Sequence, residues 1–372
     1  MITRYWPFIV LGFVASGFVM PSLPVWALCF YLLFIPLFMG RVACGALVVP
    51  REAFGGGLFV LWALLSITWS PSWHGIADVV CTALFLLGGV LALRDRPDFS
   101  YQLKRVCVIG MSLNAGVTLL TLLLGLESRD RPGGVGVLHT TLPAVIIAGI
   151  CFLWASASFL KNEKASSDTI AALLILPSFM VFSGSRTPCV AVAVAVLLLA
   201  VTAQKGRFWR LCTLVGGSLF VSGVILWRRV ASFMQDAVAR GDSYHRLIWK
   251  TVWGQSWQRP WIGHGQGAPV RVAVDGQLFA HAHNLYLGTF YSYGFVGELL
   301  LVLAFGWPMV RCLKRRDWEV MAVFSFIALV VMTDIACPLK GPSEIWYVLW
   351  VPWLCLVDCD RTFYGQGGKV QL

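Results

Sequence analysis

Apolar runs of about 17–22 residues recur along the whole chain, each bounded by charged or turn-forming residues. A helix of about 20 residues crosses the roughly 30 Å of bilayer hydrocarbon. Runs of that length without period-two alternation predict transmembrane helices, which satisfy their own backbone hydrogen bonds where no water is available. Twelve candidate spans emerge at roughly 5–21, 24–40, 55–70, 76–93, 104–125, 141–160, 168–184, 187–203, 209–227, 284–310, 319–335 and 344–358. The first pair meets at Pro21-Ser22-Leu23-Pro24, and the seventh and eighth meet at Ser185-Arg186-Thr187-Pro188. Arg4 precedes the first run and no A-x-A-like cleavage site follows it, so it reads as a first span and signal anchor. The expected fold is an all-α polytopic bundle of about 12 spans: nine in 1–227, a long loop at 228–283, and three more with a tail in 284–372.

The segment 228–283 is too long for an idle connector, since loops beyond about 15 residues are usually functional or disordered. Asp242-Ser243 predicts an N-cap for a helix through about Trp257. On that helix Trp249, Trp253 and Trp257 recur at i, i+4 and i+8, with Arg246 and Lys250 sharing much of that side. Tryptophan favours the membrane interface, so the helix is expected to lie on the membrane surface. A glycine-rich turn, Pro260-Trp261-Ile262-Gly263-His264-Gly265-Gln266-Gly267, permits close backbone approach, and the chain re-enters the membrane near His281-Ala282-His283-Asn284.

Composition agrees with a bilayer as the main solvent. Hydrophobic residues are 58% and charged residues 13%, with mean hydropathy +0.76; soluble domains carry about 25% charged residues. The net charge of +11 belongs to orientation rather than to nucleic acid, for which no soluble basic domain exists. With the N-terminus inside, 18 of 29 basic residues fall on inner segments and 4 on short outer ones: Arg129, Arg131, Arg186 and Lys340. The remaining seven lie in the long loop, which is largely exempt from the positive-inside rule. Both termini are then cytoplasmic, the loop is outside, and all six histidines fall on the outer side. The eleven cysteines form no C-x-x-C pair or His/Cys metal spacing and read as small buried apolar residues.

Three outer features carry candidate chemistry. Arg186, in Ser183-Gly184-Ser185-Arg186-Thr187, has apolar sequence on both sides, where a charge is costly unless it is paired or faces a cavity. Its alternatives are a snorkelling helix-end cation or a bidentate clamp for a diphosphate. Arg246, in Tyr244-His245-Arg246-Leu247, sits near a helix start, where it either decorates a solvated face or adds its charge to the positive end of the helix dipole; Lys250 is a weaker candidate for that work. His283-Asn284 stands at a span entrance, and imidazole takes a hydroxyl proton near neutral pH. His281 competes for that role. Two arginines and a histidine around one outward cavity suit displacement at a sugar bonded to a diphosphate, with inversion at the anomeric carbon. Neither a P-loop nor a dinucleotide fingerprint is present, so the donor is expected to arrive on a lipid.

In order, Ser183-Gly184-Ser185-Arg186, Arg246-Leu247-Ile248-Trp249, Pro260-Trp261-Ile262-Gly263-His264-Gly265 and His281-Ala282-His283-Asn284-Leu285-Tyr286 resemble the O-antigen ligase and polymerase family. The pattern His-Asn-x9-Gly-x-x-Gly is matched from His283 to Gly297. The resemblance covers about 183–297 and implies a metal-independent, cofactor-free, membrane-embedded glycosyltransferase of the GT-C-like class in the bacterial inner membrane, its site facing the periplasm. It implies an undecaprenyl-diphosphate-linked glycan as donor and, for a ligase, a sugar hydroxyl of lipid A core as acceptor. It assigns His283 as the essential histidine and Arg186 and Arg246 as diphosphate ligands; the residues themselves offer Asn284, His281 and Lys250 as accessory candidates. Thr187-Pro188 departs from the usual small residue there; a proline suits the start of a span. A polymerase extending lipid-linked glycan is the alternative reading, and a transporter of the same lipid the remoter one. A transporter needs ionisable residues near the midplane, and Glu298 is the main one in the spans.

Overall fold

The computed structural model describes residues 2–45, 51–127, 131–162, 165–201, 203–227, 244–274, 277–333, 335 and 337–366. Apolar helices occupy all twelve of the runs. Six are long and apolar enough to cross a bilayer: α2 (Leu23–Ala43), α4 (Gly75–Asp95), α5 (Phe99–Leu123), α6 (Thr141–Lys161), α9 (Lys205–Ile225) and α11 (Leu285–Lys314). Six shorter ones fill the rest: α1 (Ile2–Ser16), α3 (Phe54–Trp69), α7 (Ser167–Phe182), α8 (Arg186–Ala200), α12 (Trp318–Val330) and α13 (Trp346–Asp358). A further helix, α10 (His245–Ser256), belongs to the long loop.

The apolar surplus lies on the outside as well as in the core. Leu32, Leu33, Leu113, Leu197, Phe220 and Leu299 are all exposed. Exposed aliphatic surface on this scale is the inverse of a soluble protein's face and fits acyl chains. Inside, α6 is buried almost all round and forms the centre of the bundle. Trp6, Trp26, Phe30, Phe34, Phe85 and Trp346 pack ring on ring between α1, α2, α4 and α13. Within this cluster the indoles find acceptors: Trp6 Nε1 donates to Gly88 O at 2.8 Å and Trp346 Nε1 to Thr82 Oγ1 at 3.2 Å.

The two ends of the bundle differ. Ion pairs gather at one, which we call the Glu319 end: Arg41–Asp95 at 2.9 Å, Lys104–Glu319 at 2.5 Å and Lys161–Glu319 at 2.7 Å. Lys161 ends α6 and Glu319 starts α12, so these two helices run antiparallel and the start of α6, at Thr141, lies at the other end beside the C-terminus of α12.

Three sequence expectations are corrected. The fold is not wholly helical: β1 (Val272–Val274) pairs antiparallel with β2 (Gln277–Phe279), Val274 opposite Gln277. The connecting Asp275-Gly276 is the dipeptide that two-residue hairpins favour. Cys44 is exposed, not buried, because it follows the end of α2. The tenth span is not one continuous helix, because α11 breaks at Gly294 (φ 66, ψ −167).

Candidate functional site

The chain leaves β2 and enters α11 through His281-Ala282-His283-Asn284. Asn284 caps the helix: its side-chain oxygen accepts from Leu287 N at 3.1 Å. Asn284 therefore positions the turn that carries His283, whose backbone is left-handed at φ 48. A strained conformation of this kind persists only where its surroundings hold it. Ala282 supplies the anchor, fully buried in a small core with Leu287, Tyr291, Val270 and Val272. The His281 ring meets the His283 ring nearly perpendicularly at 3.9 Å between centroids, and the His245 ring approaches His283 at 5.9 Å. His283 is half-buried and His281 exposed.

Arg246 immediately follows His245 and is exposed, with Lys250 exposed one turn further on. The expected cap Asp242-Ser243 lies outside the described residues. The described helix starts at His245, with Tyr244 at its N-cap in left-handed conformation (φ 59) and no side-chain cap bond. The positive end of α10 thus stands beside the histidines. The helix does not lie freely on a membrane surface: Ile248 and Val252 bury it against α11. Trp253 and Trp257 pack tilted or edge-on against Phe290, and Trp257 also edge-on against Phe295, leaving about half of each indole exposed.

Arg186 is the first residue of α8 and is exposed. Gly184 turns the chain at φ 69, and the buried Ser183 hydroxyl donates to Phe179 O at 2.7 Å. Ser185 Oγ accepts from Arg131 Nη2 at 3.0 Å, and the Arg131 carbonyl accepts from Thr141 Oγ1 at 2.7 Å. Arg186 therefore sits with Thr141, at the C-terminal end of α12. That is also where Leu285 N donates to Val331 O at 2.8 Å, so Arg186 and His283 share one end of the bundle. Pro188 falls in the first turn of α8, where its missing N–H has no helical partner to lose. Arg131 was not among the sequence candidates. Its signal was there: it is one of the four cations in the short segments that the charge bias predicts to be outer.

The glycine-rich turn locks the loop to the break in α11. His264 N and Gly265 N donate to the carbonyls of Tyr291 and Ser292, both at 2.8 Å. Phe295 N donates to Pro260 O at 2.8 Å and Val296 N to Trp261 O at 3.2 Å. The loop thereby replaces the helical bonds that the break removes, and Trp62 Nε1 covers the Tyr293 carbonyl at 3.1 Å. Buried Gln266, a second residue absent from the sequence candidates, accepts from the Tyr293 hydroxyl through its side-chain oxygen, donates its backbone N–H to Ser66 Oγ at 3.0 Å and donates its side-chain amide to Leu339 O at 3.2 Å. Four elements thus meet behind the site. His264 is structural, its ring stacked on Tyr291 and bonded to Gln255 O.

Residues 170–302 match the O-antigen ligase family model, a region that contains every motif above. The chain is also similar to an O-antigen ligase of Pseudomonas aeruginosa, 25% identical over 322 residues, which is 81% of this chain and 77% of the relative. The resemblance to the O-antigen ligase family that the ordered motifs carry is borne out, with residues 170–302 as its matched region.

Proposed function

We propose that the His283 end of the bundle transfers a glycan from a polyprenyl diphosphate, of the undecaprenyl type, to a sugar hydroxyl, the acceptor being lipid A core. The carrying observation is the docking of α10, with its positive end and Arg246, beside the His281–His283 turn at the same end as Arg186. The acceptor oxygen attacks the anomeric carbon, the bond from that carbon to the diphosphate oxygen breaks, and the diphosphate leaves with the electron pair. Arg186 and Arg246 hold the growing negative charge, and His283 takes the acceptor proton. Attack opposite the leaving group inverts the sugar.

An apolar groove of about 230 Å³ between α11 and α12 begins at Leu285 and Tyr286, next to Asn284, and continues past Leu301, Phe305 and Phe324. It offers the donor's polyprenyl chain a course from the site into the bilayer. The ion-paired, basic Glu319 end is assigned to the cytoplasm, which gives twelve spans, cytoplasmic termini and a periplasmic site in the inner membrane. The likeness to a ligase favours lipid A core over a second lipid-linked glycan as acceptor.

Reconstitution with purified donor lipid and lipid A core tests this reading. Capped lipopolysaccharide is expected; longer lipid-linked chains would reassign the protein as a polymerase, and no glycosidic product would remove the transferase reading. In that assay Arg186→Lys is expected to lower turnover about 10- to 100-fold, since lysine keeps the charge but loses the forked donor set, worth ~1.5–3 kcal/mol per charge-assisted bond. Unchanged turnover would take Arg186 out of the diphosphate site.

A further inference from the structure

A second polar cavity, of about 520 Å³, lies at the Glu319 end, far along the bundle from His283. Four cations line it, Lys161, Arg207, Arg315 and Arg316, against two carboxylates, Asp317 and Glu319. Both carboxylates are engaged. Glu319 divides its oxygens between Lys104 and Lys161, and Asp317 caps α12 by accepting from Val320 N at 3.3 Å. The cavity therefore keeps a positive surplus. Arg207 reaches across it to donate to the carbonyls of Leu160 and Lys161, both at 3.1 Å, which pins the guanidinium at the wall.

Two further observations ask for an acceptor. Trp318 lines the same cavity, and its indole N–H is buried without a hydrogen-bond partner. A buried donor left unmet is costly, and native structures rarely keep one without a reason. Arg316 follows the C-cap of α11 at φ 57, a left-handed position that glycine or asparagine normally fills. Its guanidinium makes no hydrogen bond or ion pair among the described residues. Charge bias alone explains cations at this end. It does not explain a cavity, an orphan indole donor and an arginine held where a Cβ is disfavoured.

We propose that this cavity binds the phosphate-bearing headgroup of an anionic phospholipid. The phosphate oxygens would accept from Trp318 Nε1 and from Arg316, and Arg207 and Arg315 would add charge. Its place, at helix termini of a membrane bundle, is the depth at which phospholipid phosphates lie.

The test is native mass spectrometry of the full chain in mild detergent, incubated with phosphatidylglycerol, with zwitterionic phosphatidylethanolamine, or with inorganic phosphate. Preferential retention of phosphatidylglycerol is expected, falling about fivefold for each cation removed, in Arg316→Gln and in Arg207→Gln/Arg316→Gln. Trp318→Phe is expected to weaken retention while preserving the fold. Should the double variant fail to fold, exposed Arg316→Gln alone decides. Equal retention of the two lipids, wild-type retention by Arg316→Gln, or binding of inorganic phosphate without phosphatidylglycerol would each overturn the proposal.

Discussion

His283→Ala is expected to lower glycan transfer by about 10²- to 10⁴-fold, the usual contribution of a positioned acid–base group. Protein abundance and extraction from membranes should not change. The half-buried imidazole contributes little to the core, and the cap that holds its turn comes from Asn284, not from the ring. His281→Ala distinguishes the two neighbours. Its ring is exposed and leans on His283 at 3.9 Å, so its loss should misorient the base and cost about tenfold, well below the His283 effect. Purified variants assayed against a fixed donor lipid decide the matter. A larger loss in His281→Ala would transfer the base role to that residue.

Gly294→Ala should have the second large effect, on assembly rather than chemistry. At φ 66 and ψ −167 the backbone is in a region that is essentially glycine's alone. An added Cβ would meet Trp261 C at 2.3 Å, Trp261 O at 2.4 Å and Ile262 N at 2.6 Å, all backbone atoms that cannot rotate away. Relief requires lifting the Pro260–Gly265 stretch off α11, which breaks the bonds that satisfy the interrupted helix. Strain and overpacking together cost about 3 kcal/mol or more. The expected readouts are a clearly lower unfolding midpoint in detergent and loss of transfer with His283 intact. Gly254→Ala, on α10 with open space around it, is the matched control and should be neutral or slightly stabilising. A midpoint unchanged by Gly294→Ala would mean that the loop does not depend on this contact.

The helix positions were legible because lipid imposes a simple demand. A backbone in hydrocarbon must bond to itself, so long apolar runs become helices wherever they fall, and edges move only at the polar ends: the run at 5–21 becomes Ile2–Ser16. The features that shape the site depend on partners far apart in sequence. Nothing in the continuous apolar run 284–310 announces a break at Gly294, since that break is made possible by carbonyls and amides supplied from 260–265. Gln266 becomes central only when Ser66, Tyr293 and Leu339 converge on it. The hairpin at Val272–Phe279 falls in a stretch for which the pattern predicted no element, because strands of three residues leave no periodicity to read. Arg186, Arg246 and His283 were chosen for their chemistry and for the order of their motifs. The link from α10 to the His281–His283 turn, and the bonds that set Arg186 at the same end, came only from folding the chain.

Arg186, Arg246 and His283 are expected to surround one diphosphate. The direct measurement is an electron cryomicroscopy map of the protein in a lipid disc with a non-transferable polyprenyl-diphosphate sugar. Phosphate density within hydrogen-bonding reach of both guanidinium groups, with the sugar's anomeric carbon facing the His283 ring, is the predicted result. Density for the diphosphate at the Glu319 end, or bound away from these three side chains, would contradict it.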